Sequence, residues 1–166
     1  PLYESTLNHK DNTTYTEWTD NFDFDWFISE HFRLKARVSY SERTDKQEKF
    51  TDPESAIYNE SDYQDGEGIL KRGEAYSFQE KSSNLDMNMV FSYNQQLGSH
   101  FLNAVLGGNV IETRFENESY SVIGFPSGSM DYISFGKEFK DLTPEGSEGL
   151  SRLVGLFVNL NYTWNN

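Results

Sequence analysis

The chain has 166 residues, enough for one domain with a sizeable core. Fourteen basic against twenty-seven acidic residues give a net charge of -13, which would repel a phosphate backbone and excludes nucleic acid as a partner. With no cysteine there is no disulfide framework, thiolate metal site or cysteine nucleophile. No apolar run of about 18 residues is present, so no helix can span a membrane, and the opening residues lack the pattern of a secretory signal. Only 36% of residues are hydrophobic, yet 16% are Phe, Tyr or Trp, a bias toward strand formers that predicts an all-β fold. The mean hydropathy of -0.73 does not argue against a membrane β-barrel, because barrel strands need only alternate.

In chain order, Trp18, Phe22, Phe24, Trp26 and Ile28 occupy even positions, while Glu17, Thr19, Asn21, Asp23 and Asp25 fall between them. The period is two, that of a strand with one apolar face. Phe32, Leu34, Ala36, Val38 and Tyr40 then alternate with Arg33, Lys35, Arg37, Ser39 and Ser41. The two segments predict a hairpin over about 14–45. A tight turn at 29–31 would set Asp25 opposite Lys35 and Asp23 opposite Arg37, so that register and charge agree.

A second hairpin is expected over about 73–124, with its turn near Gln96-Leu97-Gly98-Ser99. Its first strand alternates cleanly through Leu85, Met87, Met89, Phe91 and Tyr93; in its second, Val105 and Ile111 blur the pattern. A last strand over about 151–164 carries the apolar stripe Val154, Leu156, Val158, Leu160, Tyr162 and Trp164, and another short turn would begin at Asn165-Asn166. Long polar loops over about 46–72 and 125–149 alternate with the tight turns. That is the plan of an outer-membrane barrel, with turns in the periplasm and long loops outside. A soluble β-sandwich has the same alternation, and pattern alone leaves the two nearly even. Strands of about 13 to 15 residues tip the reading toward the barrel, since soluble strands average about 5 to 6.

Several short stretches carry a family likeness: Pro1-Leu2-Tyr3, Thr13-Thr14-Tyr15-Thr16-Glu17, Phe32-Arg33-Leu34-Lys35-Ala36-Arg37, Arg72-Gly73, Gly124-Phe125-Pro126, Met130-Asp131-Tyr132-Ile133-Ser134-Phe135 and Asn159-Leu160-Asn161-Tyr162. In this order they resemble the middle barrel region of SusC/RagA-like TonB-dependent transporters. The resemblance implies about five strands of a much larger barrel of about 22 strands in the outer membrane of a Bacteroidetes-type bacterium. It also implies nutrient import, of oligosaccharides (glycan import) or peptides, with a SusD-like surface lipoprotein and the TonB system as partners and outer-membrane lipid as neighbour. Five strands cannot close a barrel, so the isolated chain in water is expected to curl into a sandwich, to self-associate with a second copy through its strand edges, or to aggregate. The competing readings are a soluble β-sandwich that binds a ligand, as carbohydrate-binding modules do, and a structural or adhesion module.

No catalytic residue is assigned. His9, His31 and His100 lie far apart, no Gly-x-Ser-x-Gly elbow is present, and Glu112, Glu116 and Glu118 form no supported glycosidase pair. The chain is read as no enzyme, with no cofactor and no metal; Asp62-Tyr63-Gln64-Asp65-Gly66-Glu67 is acidic but lacks calcium-loop spacing, and Gly66 and Gly68 lack the lysine of a phosphate loop. The Asn-x-Ser/Thr matches at Asn12, Asn59, Asn117 and Asn161 are read as chance. Candidate ligand contacts are the loop aromatics Tyr58, Tyr63, Tyr132 and Phe135, whose rings could stack on a sugar or peptide. Packing of the loops against each other is the plainer role for them.

Overall fold

The computed structural model describes residues 3–141 and 143–164; the turn expected at Asn165-Asn166 and the opening Pro1-Leu2 lie outside them. The chain is all-β: β1 (Lys10–Phe27), β2 (Phe32–Thr51), β3 (Glu74–Leu97), β4 (His100–Ile123), β5 (Glu138–Phe139) and β6 (Glu145–Trp164). They form one antiparallel meander in the order β1-β2-β3-β4-β5, with β6 also pairing with β4. The expected meander of long strands is what the sheet has. It departs from the expectation by a sixth strand, the two-residue β5, in a stretch read as loop. There Val122 pairs with Phe139 and Ile123 with Glu138.

The tight turns follow from local chemistry. Between β1 and β2, the amides of Ile28 and Ser29 both donate to the Phe32 carbonyl, at 3.0 and 3.2 Å, and Ser29 Oγ accepts from the amides of His31 and Phe32. Between β3 and β4, Gly98 takes φ 61°, a conformation open to glycine at no steric cost. The pairing of Ile28 with Phe32 sets Asp25 opposite Lys35 and Asp23 opposite Arg37, as the charge pattern requires. Asp23 accepts from Arg37 Nε at 2.6 Å. Asp25 is taken by the guanidinium of Arg33, which reaches diagonally, and Lys35 Nζ stands off at 3.9 Å. Arginine wins because its fork bonds both carboxylate oxygens at once.

The strands thread two compact units. The first takes in the chain up to Thr16, Thr44–Lys81 and Glu116–Glu148; the second takes in Glu17–Arg43, Ser82–Phe115 and the chain from Gly149 on.

The first unit holds all five buried hydrophobic residues among those described: Phe50, Tyr58, Ala75, Val122 and Phe125. The rings of Phe50 and Phe125 meet edge to face at 5.1 Å, with Tyr120 and Ile133 packed around them. Gly73 is needed there. It takes φ 81°, and a Cβ on it would lie 2.9 Å from the Cβ of Phe125, while its carbonyl accepts from the amide of Gly124 at 3.1 Å.

In the second unit no hydrophobic side chain among those described is buried. One face carries the apolar stripes: Phe22, Phe24 and Trp26 on β1, Phe32 to Tyr40 on β2, Leu85 to Tyr93 on β3, Leu102 to Val110 on β4 and Val154 to Trp164 on β6. On β2 the stripe covers nine residues, about 30 Å along the strand. The stripe ends where the same face of β4 and β6 becomes charged, with Arg152 bound to Glu112 through its Nε at 2.8 Å. The other face is polar, and there glycines let larger neighbours lie flat: a Cβ on Gly107 would strike the ring of Phe157, and one on Gly149 the ring of Phe115.

Candidate functional site

The four loop aromatics fall into two pairs in the first unit. Tyr58, on the helical turn Ala56–Asn59, is 5% exposed, and its ring meets that of Tyr63 edge to face at 5.0 Å. Burial, reinforced by the negative charge of Glu74, pushes the Tyr58 hydroxyl up to about 12. Tyr132 and Phe135 lie 6.4 Å apart, edge to face, and both rings are exposed; that of Tyr132 is 74% exposed. The two pairs therefore differ in what they offer a ligand: the first is largely packed away, the second open to solvent. Tyr132 borders a concavity of about 360 Å³ whose wall includes Lys10, Phe50, Tyr76, Tyr120 and Asp131.

A polar clasp that no sequence signal announced joins three distant segments beside this concavity. The Asn8 amide donates to Asp52 at 3.0 Å, and the Asn8 side chain donates to the Gly128 carbonyl at 2.7 Å and to Asp131 at 2.8 Å. Lys10 forms an ion pair with Asp131. Glu4 accepts from the amide of Ala56 and from Ser55 Oγ, and Tyr3 donates to Glu54 at 2.8 Å. Gly128 is the residue that could have hinted at it, since a Cβ there would overlap the Asp52 carboxylate. The Lys10 ammonium and the Asn8 amide hold Asp131 below the usual carboxylate range, and the Ala56 amide does the same for Glu4.

A depressed folded-state pKa means stability that is complete above the unfolded-state value and lost as pH falls toward the folded one. The clasp is therefore expected to hold at neutral pH and to loosen below about pH 4. Hydrogen exchange at the amide of Ala56, corrected for the intrinsic pH dependence of exchange, should lose protection there as Glu4 is protonated. Glu4→Gln should remove that response, and protection that stays flat down to pH 2 would refute the clasp.

The three histidines are scattered: His9 contacts Glu4 at 3.0 Å, His31 Nδ1 lies 3.1 Å from the Asn94 carbonyl and His100 Nδ1 lies 2.6 Å from the Tyr162 hydroxyl. Among the described residues no three His, Asp or Glu side chains gather as a metal site. Glu112 is bound by Arg152 in an ion pair.

In the second unit, the polar face of β1, β2 and β3 encloses a concavity of about 770 Å³. Its wall carries Asn21, Asp23, Asp25, Lys35, Arg37, Asn84, Asp86 and Asn88, so both charge signs and several amides line one space.

No family model and no curated protein sequence matches the chain. Solved structures do. The chain matches the RagAB peptide importer in its "closed-closed" state with a TM-score of 0.77 at 17% identity, over 95% of this chain and 17% of that one. It matches a structure of the RagAB peptide transporter with the same TM-score, identity and coverage of this chain, over 16% of that one. Against the importer's "open-open" state the TM-score is 0.74, again at 17% identity. These neighbours are described as transporters, not enzymes, and the chain spans only about a sixth of their length. The sequence resemblance to SusC/RagA-like proteins and the structural match thus point to one source: this chain has the fold of a stretch of the RagAB transporter.

Proposed function

We propose that this chain is a wall-and-loop segment of a TonB-dependent, SusC/RagA-type transporter in a bacterial outer membrane, importing oligosaccharides or peptides with a SusD-like lipoprotein partner. The observation that carries the reading is the uncovered apolar face of the second unit: Phe22, Trp26, Val158 and Leu160 are each more than half exposed. In water an apolar patch of this extent needs a partner surface. A sandwich would put a second sheet there, as the carbohydrate-binding alternative requires, and the described residues form one sheet with none over this face. Lipid is the partner that a stripe about 30 Å long along tilted strands fits, since the apolar band of an outer-membrane barrel is about 25 Å tall.

In this reading the polar face of the second unit lines the lumen, and the loop rings Tyr132 and Phe135 are candidates to meet substrate or partner lipoprotein. The likeness to RagAB supports an importer that works in complex. The TonB coupling, the choice of nutrient and the Bacteroidetes-type source rest on the family resemblance.

Light scattering of the purified chain, with circular dichroism, tests the reading. A β-rich oligomer or aggregate in plain buffer, associated through the open edges of β1 and β6, should convert to a smaller species in detergent. A cooperative monomer indifferent to detergent would instead favour the self-contained ligand-binding module.

A further inference from the structure

We infer that the second unit carries a lipid site: an acyl chain of a phosphate-bearing membrane lipid lies in an apolar concavity of the wall, and its phosphate meets Arg114 and Arg152. The inference rests on the wall reading and deepens it, from lipid as a surrounding solvent to one lipid held at a defined place.

On the apolar face a concavity of about 550 Å³ spans β2, β3, β4 and β6. Its floor is low because Ala36 carries only a methyl group and Gly108 no side chain, whereas Met87, Met89, Val154 and Leu156 stand around them. Leu156 leans across the gap, and a Cβ on Gly108 would come within 2.9 Å of its Cδ2. Arg37 and Asn88 border the concavity but belong to the polar face, where both line the polar concavity and Arg37 bonds Asp23. The hollow therefore suits an alkyl chain and offers little to a group that must hydrogen-bond. Two of the chain's three methionines stand in its wall, and methionine, unbranched and polarizable, adapts to an apolar guest. The volume falls within the range of small-ligand sites.

The charge at one end selects the occupant. One step of about 7 Å along the strands from Val110 and Val154 stand Glu112 and Arg152. The two bonds of Arg152, from Nε and Nη2, fall on the same Glu112 oxygen, so its Nη1 has no partner among the described residues. Arg114, two residues beyond Glu112 on the same face of β4, is exposed and forms no ion pair among them. Two guanidiniums thus stand against one carboxylate at this border of the unit, with N–H donors to spare. Guanidinium forks match phosphate oxygens, and an acyl chain lying in the concavity brings a lipid phosphate to this end.

The test uses the full chain in dodecyl maltoside micelles, with ¹³C-labelled methionine methyl groups, and titrates in dimyristoyl phosphatidylglycerol. The methyl groups of Met87 and Met89 should shift and saturate, with Met130, in the first unit, as the reference. Dimyristoylglycerol, with the same chains and no phosphate, should need about fivefold to tenfold more to reach the same shift. Arg114→Gln should weaken the phosphatidylglycerol response by a similar factor and leave the dimyristoylglycerol response unchanged; the factor is no larger because Glu116, two residues beyond Arg114, is acidic. Gly108→Leu, which fills the floor, should abolish saturation by either lipid. A drift that never saturates and is equal for the two lipids would overturn the site while leaving the wall reading in place. Shifts of Met87 and Met89 that follow protein concentration without added lipid would give the concavity to a second copy of the chain and overturn the site as well. A chain that does not enter micelles would overturn both the site and the wall reading.

Discussion

Arginine in place of Val158 should expel the chain from lipid, whereas arginine one residue further on, at Asn159, should leave it inserted. Both positions are exposed, Val158 at 75%, so exposure alone predicts the same tolerance for each. They differ in face. Val158 lies in the apolar stripe of β6; Asn159 belongs to the polar face with Asn161, whose side chain donates to the Asn159 oxygen at 2.6 Å. An arginine on the lipid face of a barrel costs about 2–4 kcal/mol near the bilayer middle and little on the lumen side. The Val158→Arg chain should therefore partition into phospholipid vesicles about 30-fold to 1,000-fold less than the parent, measured by flotation, and Asn159→Arg within about threefold of it. Equal partitioning of the two variants would mean that the two faces are not lipid and lumen.

Phe125→Ala carries the second large effect, in the first unit. Phe125 is 5% exposed and packs edge-on against Phe50 in a cluster whose other buried members are Ala75 and Val122. Truncating a buried phenylalanine costs about 3–5 kcal/mol, and so small a cluster has little else to hold it together. The Gly124 amide bonded to Gly73 and the Lys137 amide bonded to Ile123 should then exchange about 100-fold faster or more. The amides of Ile28 and Asn94, in the second unit, serve as the reference. Unchanged exchange at Gly124 and Lys137 would show that the cluster does not hold these loops.

Much of the fold was legible because one face of most strands is apolar and the other is not. The register of β1 on β2 could be read from Asp23, Asp25, Lys35 and Arg37 together with the tight turn at 29–31, which sets them opposite one another in pairs of opposite charge. The extra reach of Arg33 could not, because a diagonal contact depends on side-chain length rather than on spacing. β2 continues to Thr51, through Glu42 to Lys49, a stretch the sequence assigns partly to a loop. There both faces are polar, and period two leaves no trace in hydropathy. In β4 the blur at Val105 and Ile111 has a physical source: the polar face of β4 and β6 is not uniformly polar, and also carries Phe115, Leu153 and Phe157. The loop aromatics were visible as residue types, but not that Tyr58 would be enclosed and Tyr132 open. The clasp of Asn8, Asp52, Gly128 and Asp131 was invisible for a simpler reason: its members are up to 123 residues apart, and no local pattern links them.

In the proposed lipid-facing wall, the Arg152–Glu112 pair at the end of the apolar stripe would act as a waterline. Sliding inward by one rung of the ladder would carry two charged side chains into hydrocarbon, while sliding outward would lift Val154 and Val110 into water. Both displacements cost free energy, so the depth at which the sheet floats is written into two adjacent rungs. A bilayer of different thickness would have to stretch or thin to meet that mark, because the ion pair cannot follow it.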